Sequence, residues 1–144
     1  MEKRIKMTNK EIEETLTLLN IMIQQLNKGE IVVDDPKFPY VIGRNLRILR
    51  SENIEYVDAK NRAVREFGEF FQEGEGNDEG GYRINMKDKE QYSAFEARVR
   101  EIASIEHEFT IFAVPSSLIM SWNLPFSHRS SLWFLMEDGE SMFE

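Results

Sequence analysis

The sequence predicts an α+β fold that is mainly α, built as a helical hairpin or bundle with a long central helix and a small β component. Two long stretches carry apolar residues at helical spacing, and a third lies nearer the C-terminus. A single β-branched and aromatic run around residue 110 supplies the β component. The 144 residues contain no obvious linker, so we expect one domain spanning 1–144.

The first helix is predicted by its start signal and by its apolar stripe. Thr8 and Glu11 have the spacing of a capping box, in which each side chain bonds the backbone N–H of the other residue. Apolar residues then follow every three or four positions, namely Ile12, Leu16, Leu19, Ile23 and Leu26. Gly29 is placed to end the helix. The β-branched run 31–33 is compatible with a strand or with an extended linker.

The second helix is predicted to be long, because no proline follows Pro39 before about Glu73. Pro39 suits the first turn of a helix, where a missing N–H costs nothing. A continuous helix of this length is too long for a compact chain of 144 residues to cover. We therefore expect a kink, a break near Gly68, or a protruding arm.

The remaining elements are shorter. The segment 73–81 is a loop by composition, and 82–85 alternates like a brief strand. Asp88 and Gln91 resemble a second N-cap pair that opens a third helix on Tyr92, Phe95, Val99, Ile102 and Ile105. The run 109–114 predicts a buried strand that ends at a proline. Residues 116–136 favour two short helices, of which the last could instead be a strand.

Composition excludes several classes of function. The chain has no cysteine and only two histidines, His107 and His128, and neither lies in a metal-binding or nucleophile motif. We expect no enzymatic activity, no cofactor and no metal. The net charge of −8 argues against direct nucleic-acid binding. With neither a secretory signal nor a long apolar run, the sequence predicts a cytoplasmic location and no membrane contact.

Three sets of residues are candidate contact sites, although each also has a plain structural interpretation. The acidic segment around residues 66–79 is either a solvated loop or a patch that attracts a basic protein, with Glu69, Glu73, Glu75, Asp78 and Glu79 as its candidates. The C-terminal aromatics are either core or a protein interface, with Trp122, Phe126 and Trp133 as candidates. The third set is either a solvated helix face or an anion site near Tyr40 or Tyr56, and consists of Arg44, Arg47 and Arg50.

The order of these segments resembles a known group of proteins. A capped first helix precedes the run Phe-Pro-Tyr-Val-Ile-Gly-Arg-Asn-Leu-Arg-Ile-Leu at 38–49, which contains the pair Arg44-Asn45. A helical stretch, a Gly-rich acidic turn, Tyr-Arg-Ile at 82–84, a late helix and an apolar end in Leu-Met-Glu follow. Over about residues 8–137 this layout is similar to small uncharacterised proteins of tailed phages and prophages of Gram-positive bacteria. The resemblance implies no catalytic residue.

These observations together predict a phage or prophage protein that acts by binding another protein. The favoured task is counter-defence, in which the chain inhibits an immune effector of the bacterial host. Two alternatives remain open. One is a virion or tail accessory protein, which places the chain in the virion and predicts homo-oligomers. The other is an oligomeric protein that sequesters a nucleotide-like signal.

Overall fold

The computed structural model describes residues 1–71, 81–85 and 87–137. The elements in chain order are β1 (Glu2–Thr8), α1 (Asn9–Asn27), α2 (Lys37–Phe67), β2 (Glu69–Phe71), β3 (Gly81–Arg83), α3 (Lys89–Ala103), β4 (Glu106–Phe112), α4 (Ser116–Ser121), α5 (Phe126–Ser131) and a 3-10 helix (Trp133–Leu135). In this described part the strands form two separate two-stranded antiparallel sheets, β1 with β4 and β2 with β3. The predicted α+β, mainly α fold with one long helix is confirmed.

Helix α1 begins and ends where its sequence signals predict. The Glu11 backbone N–H donates to Thr8 Oγ1 at 3.1 Å, and the Thr8 N–H donates to Glu11 Oε1 at 3.0 Å, which confirms the capping box. The helix ends at Asn27, and Gly29 has a φ of 77°, a left-handed conformation that favours glycine. Residues 31–33 form no strand, so the linker alternative is the correct one.

Helix α2 breaks at the predicted position. Pro39 lies in its first turn, and the helix ends at Phe67. A Cβ atom on Gly68 would collide with the Val64 carbonyl oxygen and would lie 2.7 Å from the Arg83 carbonyl oxygen. Only glycine therefore fits where the chain leaves α2 and enters β2.

The predicted third helix is confirmed over Lys89–Ala103, with one correction to its cap. Asp88 Oδ1 accepts from the Gln91 backbone N–H at 3.1 Å, as a capping residue does. The Gln91 side chain, however, accepts from the backbone N–H of Asn85 at 2.9 Å instead of returning to Asp88. Ile105 follows the end of the helix and is exposed, so it is not part of an apolar seam.

Strands β1 and β2 are not predicted by the sequence, and β1 is the longer of the two. Strand β1 contributes half of the first sheet. It pairs antiparallel with β4 from Glu2 opposite Phe112 to Thr8 opposite Glu106. The predicted strand at 109–114 is confirmed in part, because β4 starts three residues earlier, at Glu106, and ends at Phe112. The C-terminal segment forms helices α4 and α5 and the 3-10 helix, which confirms the helical alternative.

The chain divides into two compact units. Met1–Glu52 with Glu106–Glu144 form the first unit, and Asn53–Ile105 form the second, so α2 contributes residues to both. The core of the first unit collects apolar side chains of α1, α2, β4 and the C-terminal segment, among them Ile12, Leu19, Phe38, Ile42, Leu49, Ile111, Ile119, Leu132 and Phe134. In the second unit Tyr56 and Ala63 are buried. That 1–144 form a single domain stays a prediction.

Candidate partner-binding surfaces

The acidic segment is described at one candidate residue only. Glu69 lies in β2, is exposed, and accepts from Asn85 Nδ2 at 3.5 Å. The other four candidates of this set lie outside the described residues: Glu73, Glu75, Asp78 and Glu79. Their part in partner binding stays a prediction.

The three arginines of α2 contact different neighbours. The Arg44 guanidinium lies over the Phe112 ring, 4.3 Å from its centroid, and Nη1 donates to the Tyr40 hydroxyl at 3.3 Å. Arg50 Nη2 donates to Asn20 Oδ1 at 3.1 Å, whereas Arg47 is exposed. The structure therefore brings Arg44 together with an aromatic residue but does not gather the three arginines into one site.

The hollow beside Arg44 is small and of mixed charge. Its volume is about 140 Å³, and its lining includes Arg44, Phe112, Thr110 and Glu2. An Arg guanidinium and a hydroxyl suit an anion, but the Glu2 carboxylate in the same lining opposes one. Arg44 has a clear structural role here, because it covers one face of Phe112 through a cation–π contact.

Trp122, a candidate for partner contact, is instead part of the core. Its side chain is 3% exposed, and its ring meets that of Phe38 edge to face, with 5.1 Å between the centroids. Its indole N–H donates to Asp35 Oδ2 at 3.1 Å. In this fold Trp122 holds the Asp35 linker against the core and presents no surface to a partner.

Phe126, by contrast, is the most exposed aromatic candidate. It is 69% exposed and is the first residue of α5. The Arg129 guanidinium lies 5.8 Å from the Phe126 ring centroid, and its Nη1 lies 3.6 Å from the sulfur of Met120. Met120 is itself 44% exposed. These three side chains form one group, the Phe126 cluster (Met120, Phe126, Arg129), in which Met120 and Phe126 are exposed and Arg129 is half-buried.

The Phe126 cluster lies between two buried residues. Leu124 and Leu132 lie on either side of α5 in the chain and are both buried. Asn123, just before this segment, adopts a positive φ of 54°, which Asn tolerates better than most residues. Phe126 is therefore exposed on a short helix whose two flanking leucines are packed in the core.

A second exposed apolar surface lies on α1. Its residues Glu14, Leu18, Ile21 and Gln25 are spaced by four, three and four positions, and we refer to them as the α1 stripe. Leu18 and Ile21 are 41% and 42% exposed. Leu18 and Trp133 line the same hollow of about 180 Å³, so the third aromatic candidate, Trp133, borders this surface.

His128 has a partner at both ring nitrogens, whereas His107 has one at Nδ1 and none at its buried Nε2 among the described residues. His128 Nε2 lies 2.6 Å from Gln25 Oε1, and its Nδ1 lies 3.3 Å from the Ser127 hydroxyl. His107 Nδ1 lies 3.4 Å from a Glu52 carboxylate oxygen. His128 links α5 to α1 through a neutral amide, and no carboxylate in the described residues orients it as a serine hydrolase requires. This arrangement does not assemble a triad.

Metal-ligating clusters and membrane-spanning helices are both absent from the described residues. Across 1–71, 81–85 and 87–137, no three His, Asp or Glu side chains gather as they would around a metal ion. No helix in this part of the chain combines the length and the apolar character that crossing a membrane requires.

Comparison with known proteins leaves the function to be argued from the chain itself. No family model, curated protein or solved structure matches this chain significantly. The Phe126 cluster and the α1 stripe both place exposed apolar side chains on the surface of the first unit, namely Met120, Phe126, Leu18 and Ile21.

Proposed function

We propose that this chain acts by binding another protein and that the Phe126 cluster is its contact surface. The observation that carries this proposal is the exposure of Phe126, 69%, on a segment that buried residues flank on both sides. Burying an exposed Phe side chain in a complex gains roughly 2 kcal/mol from its apolar area.

The residue types of the cluster support a protein partner. Aromatic residues, Met and Arg are enriched in protein interfaces, and a few of them carry most of the binding energy. Met120 supplies a polarizable apolar surface beside the Phe126 ring. Arg129 forms no ion pair within the described part of the chain, so its guanidinium retains donors for a partner.

The partner therefore has a definite chemistry. We expect an apolar pocket that accepts the Phe126 ring, with a carboxylate at its edge for Arg129. Arg129 is the only Lys or Arg in residues 101–144, which otherwise carry acidic charges. In such a contact the burial of apolar area drives binding, and the single cation beside the aromatic ring sets the orientation of the partner.

The first experiment is affinity capture from a lysate of a Gram-positive host, with and without phage infection. Phe126→Asp removes the ring and adds a charge, so we expect it to lose a partner that the unmodified chain captures. Val32→Asp is the matched control, because Val32 is 75% exposed in the linker before α2. A captured set that is the same for all three proteins contradicts the proposal.

A narrower proposal concerns the identity of the partner. The acidic composition and the resemblance to phage and prophage proteins support an immune effector of the bacterial host, inhibited through a basic surface. The test is charge reversal at Glu73, Glu75, Asp78 and Glu79. We expect capture of the effector to weaken with added salt and with these reversals. If capture is unchanged, the acidic segment is excluded as a contact, and the proposal for the Phe126 cluster is unaffected.

The same capture experiment separates the two alternative roles. Enrichment of tail proteins alone favours a virion or tail accessory protein. If no protein is enriched above background, the protein-binding proposal fails. Nucleotide-like ligands should then be screened for binding at the Arg44 hollow.

A further inference from the structure

We propose that a second copy of this chain binds the α1 stripe, with the two α1 helices packed antiparallel. The proposal concerns a different surface from the Phe126 cluster, and it does not depend on the proposed function. It rests on the spacing of the stripe, on the charges at its two ends, and on the hollows beside Leu18.

The stripe has the spacing of a coiled-coil seam. Leu18 and Gln25 are seven residues apart, as are Glu14 and Ile21, and the two series alternate as a and d positions do. The buried side of α1 uses other residues, namely Ile12, Leu16, Leu19 and Met22. The apolar pair Leu18 and Ile21 is therefore additional to what the chain's own core requires.

The charges select an antiparallel pair. Glu11 lies in the first turn of α1, and Lys28 is its C-cap residue. An antiparallel arrangement centred between Leu18 and Ile21 places Glu11 of each copy beside Lys28 of the other. It also opposes the two helix dipoles favourably. A parallel arrangement would instead place Glu11 against Glu11 and Lys28 against Lys28, which is repulsive.

The same antiparallel register, centred between Leu18 and Ile21, places apolar residues opposite apolar residues and polar residues opposite polar ones. Leu18 of one copy then faces Ile21 of the other, twice by symmetry, and Glu14 faces Gln25. The carboxylate of Glu14 is exposed and its ion pair with Lys10 is long, 4.0 Å. Gln25 Oε1 contacts His128 within its own chain, so the Gln25 Nε2 amino group is the donor that we expect to reach Glu14 of the second copy. Each layer of the seam thus pairs an apolar side chain with an apolar one, or an acceptor with an amide.

Hollows beside Leu18 provide room for the facing side chains. The hollow that Leu18 shares with Trp133 has a volume of about 180 Å³. On its other side Leu18 borders an open, shallow depression lined by residues of α1 alone, among them Glu13 and Thr17. Side chains of one helix enter such holes on the other in coiled-coil packing. Ile21 of the second copy is the side chain that the register brings to this position.

Sedimentation equilibrium of the full chain over a wide concentration range tests the proposal. We expect a monomer–dimer equilibrium that Ile21→Glu weakens at least tenfold. Val32→Glu, the same exchange on an exposed linker residue, should leave it unchanged. Circular dichroism confirms that Ile21→Glu remains folded. A monomer at every concentration, or a dimer equally stable in Ile21→Glu, overturns the proposal.

Disulfide trapping tests the antiparallel register. The chain has no cysteine, so introduced thiols react only with each other. We expect a mixture of the Glu14→Cys and Gln25→Cys proteins to form a crossed disulfide under mild oxidation, whereas Glu14→Cys alone forms little. If two Glu14→Cys chains form a disulfide efficiently and no crossed product appears, the antiparallel arrangement is overturned. Phe126→Asp should dimerise normally, so failure here is distinct from failure of the proposed function.

Discussion

The side-chain amide of Asn45 forms two hydrogen bonds with the backbone of Phe112. Asn45 Oδ1 accepts from the Phe112 N–H at 3.0 Å, and Asn45 Nδ2 donates to the Phe112 carbonyl oxygen at 2.9 Å. Nδ2 also donates to the Val41 carbonyl oxygen at 2.9 Å. Asn45 is completely buried and pairs with β4 as a neighbouring strand would. This contact attaches α2 to the last residue of β4 in the first unit.

Replacing Asn45 should therefore be costly. Asn45→Ala leaves the partly buried N–H and C=O of Phe112 without partners, and we expect a loss of about 1–3 kcal/mol in the free energy of unfolding. Urea denaturation measures it. Asn61→Ala, on an exposed part of the same helix, is the control and should change stability by less than about 0.5 kcal/mol. Equal effects of the two substitutions would contradict the role given to Asn45.

The Asp35 carboxylate predicts a pH dependence of stability. A hydrogen bond from the Lys37 backbone N–H and a second from the Trp122 indole lower the pKa of Asp35 below its ordinary value of 3.8. A lowered pKa in the folded state adds stability above the ordinary value, and this contribution is lost as pH falls through the folded pKa. Asp35→Asn should thus be less stable than the unmodified chain at pH 7.

The difference between the two proteins should shrink as pH falls below 3.8. Urea denaturation at pH 7, 4 and 3 measures it, because protonation of Asp35 makes the unmodified chain resemble the variant. A difference that stays constant over this range would mean that the Asp35 charge does not contribute to folding.

Phe126 and Trp122 should respond to substitution in opposite ways. Phe126→Ala removes an exposed ring, so we expect it to change the free energy of unfolding by less than about 0.5 kcal/mol. Trp122→Phe leaves Asp35 without its indole donor and opens space in the core, which should cost about 2 kcal/mol. Thermal denaturation of both variants checks this contrast, and a large loss for Phe126→Ala would assign that ring to folding instead of binding.

Gly68 should not tolerate a side chain. Gly68→Ala directs a Cβ atom against the carbonyl oxygens of Val64 and Arg83, which are backbone atoms and cannot rotate away. We expect a loss of about 1–3 kcal/mol. Hydrogen exchange measured by mass spectrometry should show the faster exchange in the second unit. Gly43→Ala is the control, because a Cβ atom there meets no other atom.

Local signals explain which elements the sequence predicts well. The start and end of α1 depend on Thr8, Glu11 and Gly29, which act on their immediate neighbours. The break after α2 depends on Gly68, a glycine that the sequence marks as a helix breaker, although its close contact with the Arg83 carbonyl oxygen is not visible in the sequence. Such elements require no knowledge of distant contacts.

Distant contacts explain what the sequence did not predict. Strand β1 alternates charged with apolar residues over a short span, and its partner β4 begins about a hundred residues later. The burial of Trp122 depends on Phe38 and Asp35, which precede it by more than eighty residues. The α1 stripe was not predicted for another reason. The core stripe of the same helix contains more apolar residues, and in the sequence Leu18 and Ile21 lie at the edge of that stripe.

Site-specific photocrosslinking tests the central claim, that the Phe126 cluster contacts a partner protein. Benzoylphenylalanine at position 126 keeps an aromatic side chain at the proposed contact, and the same residue at position 32 is the matched control. Irradiation in host cells should yield a discrete adduct between position 126 and a second protein, with none at position 32. No adduct at 126, or equal adducts at both positions, would contradict the claim.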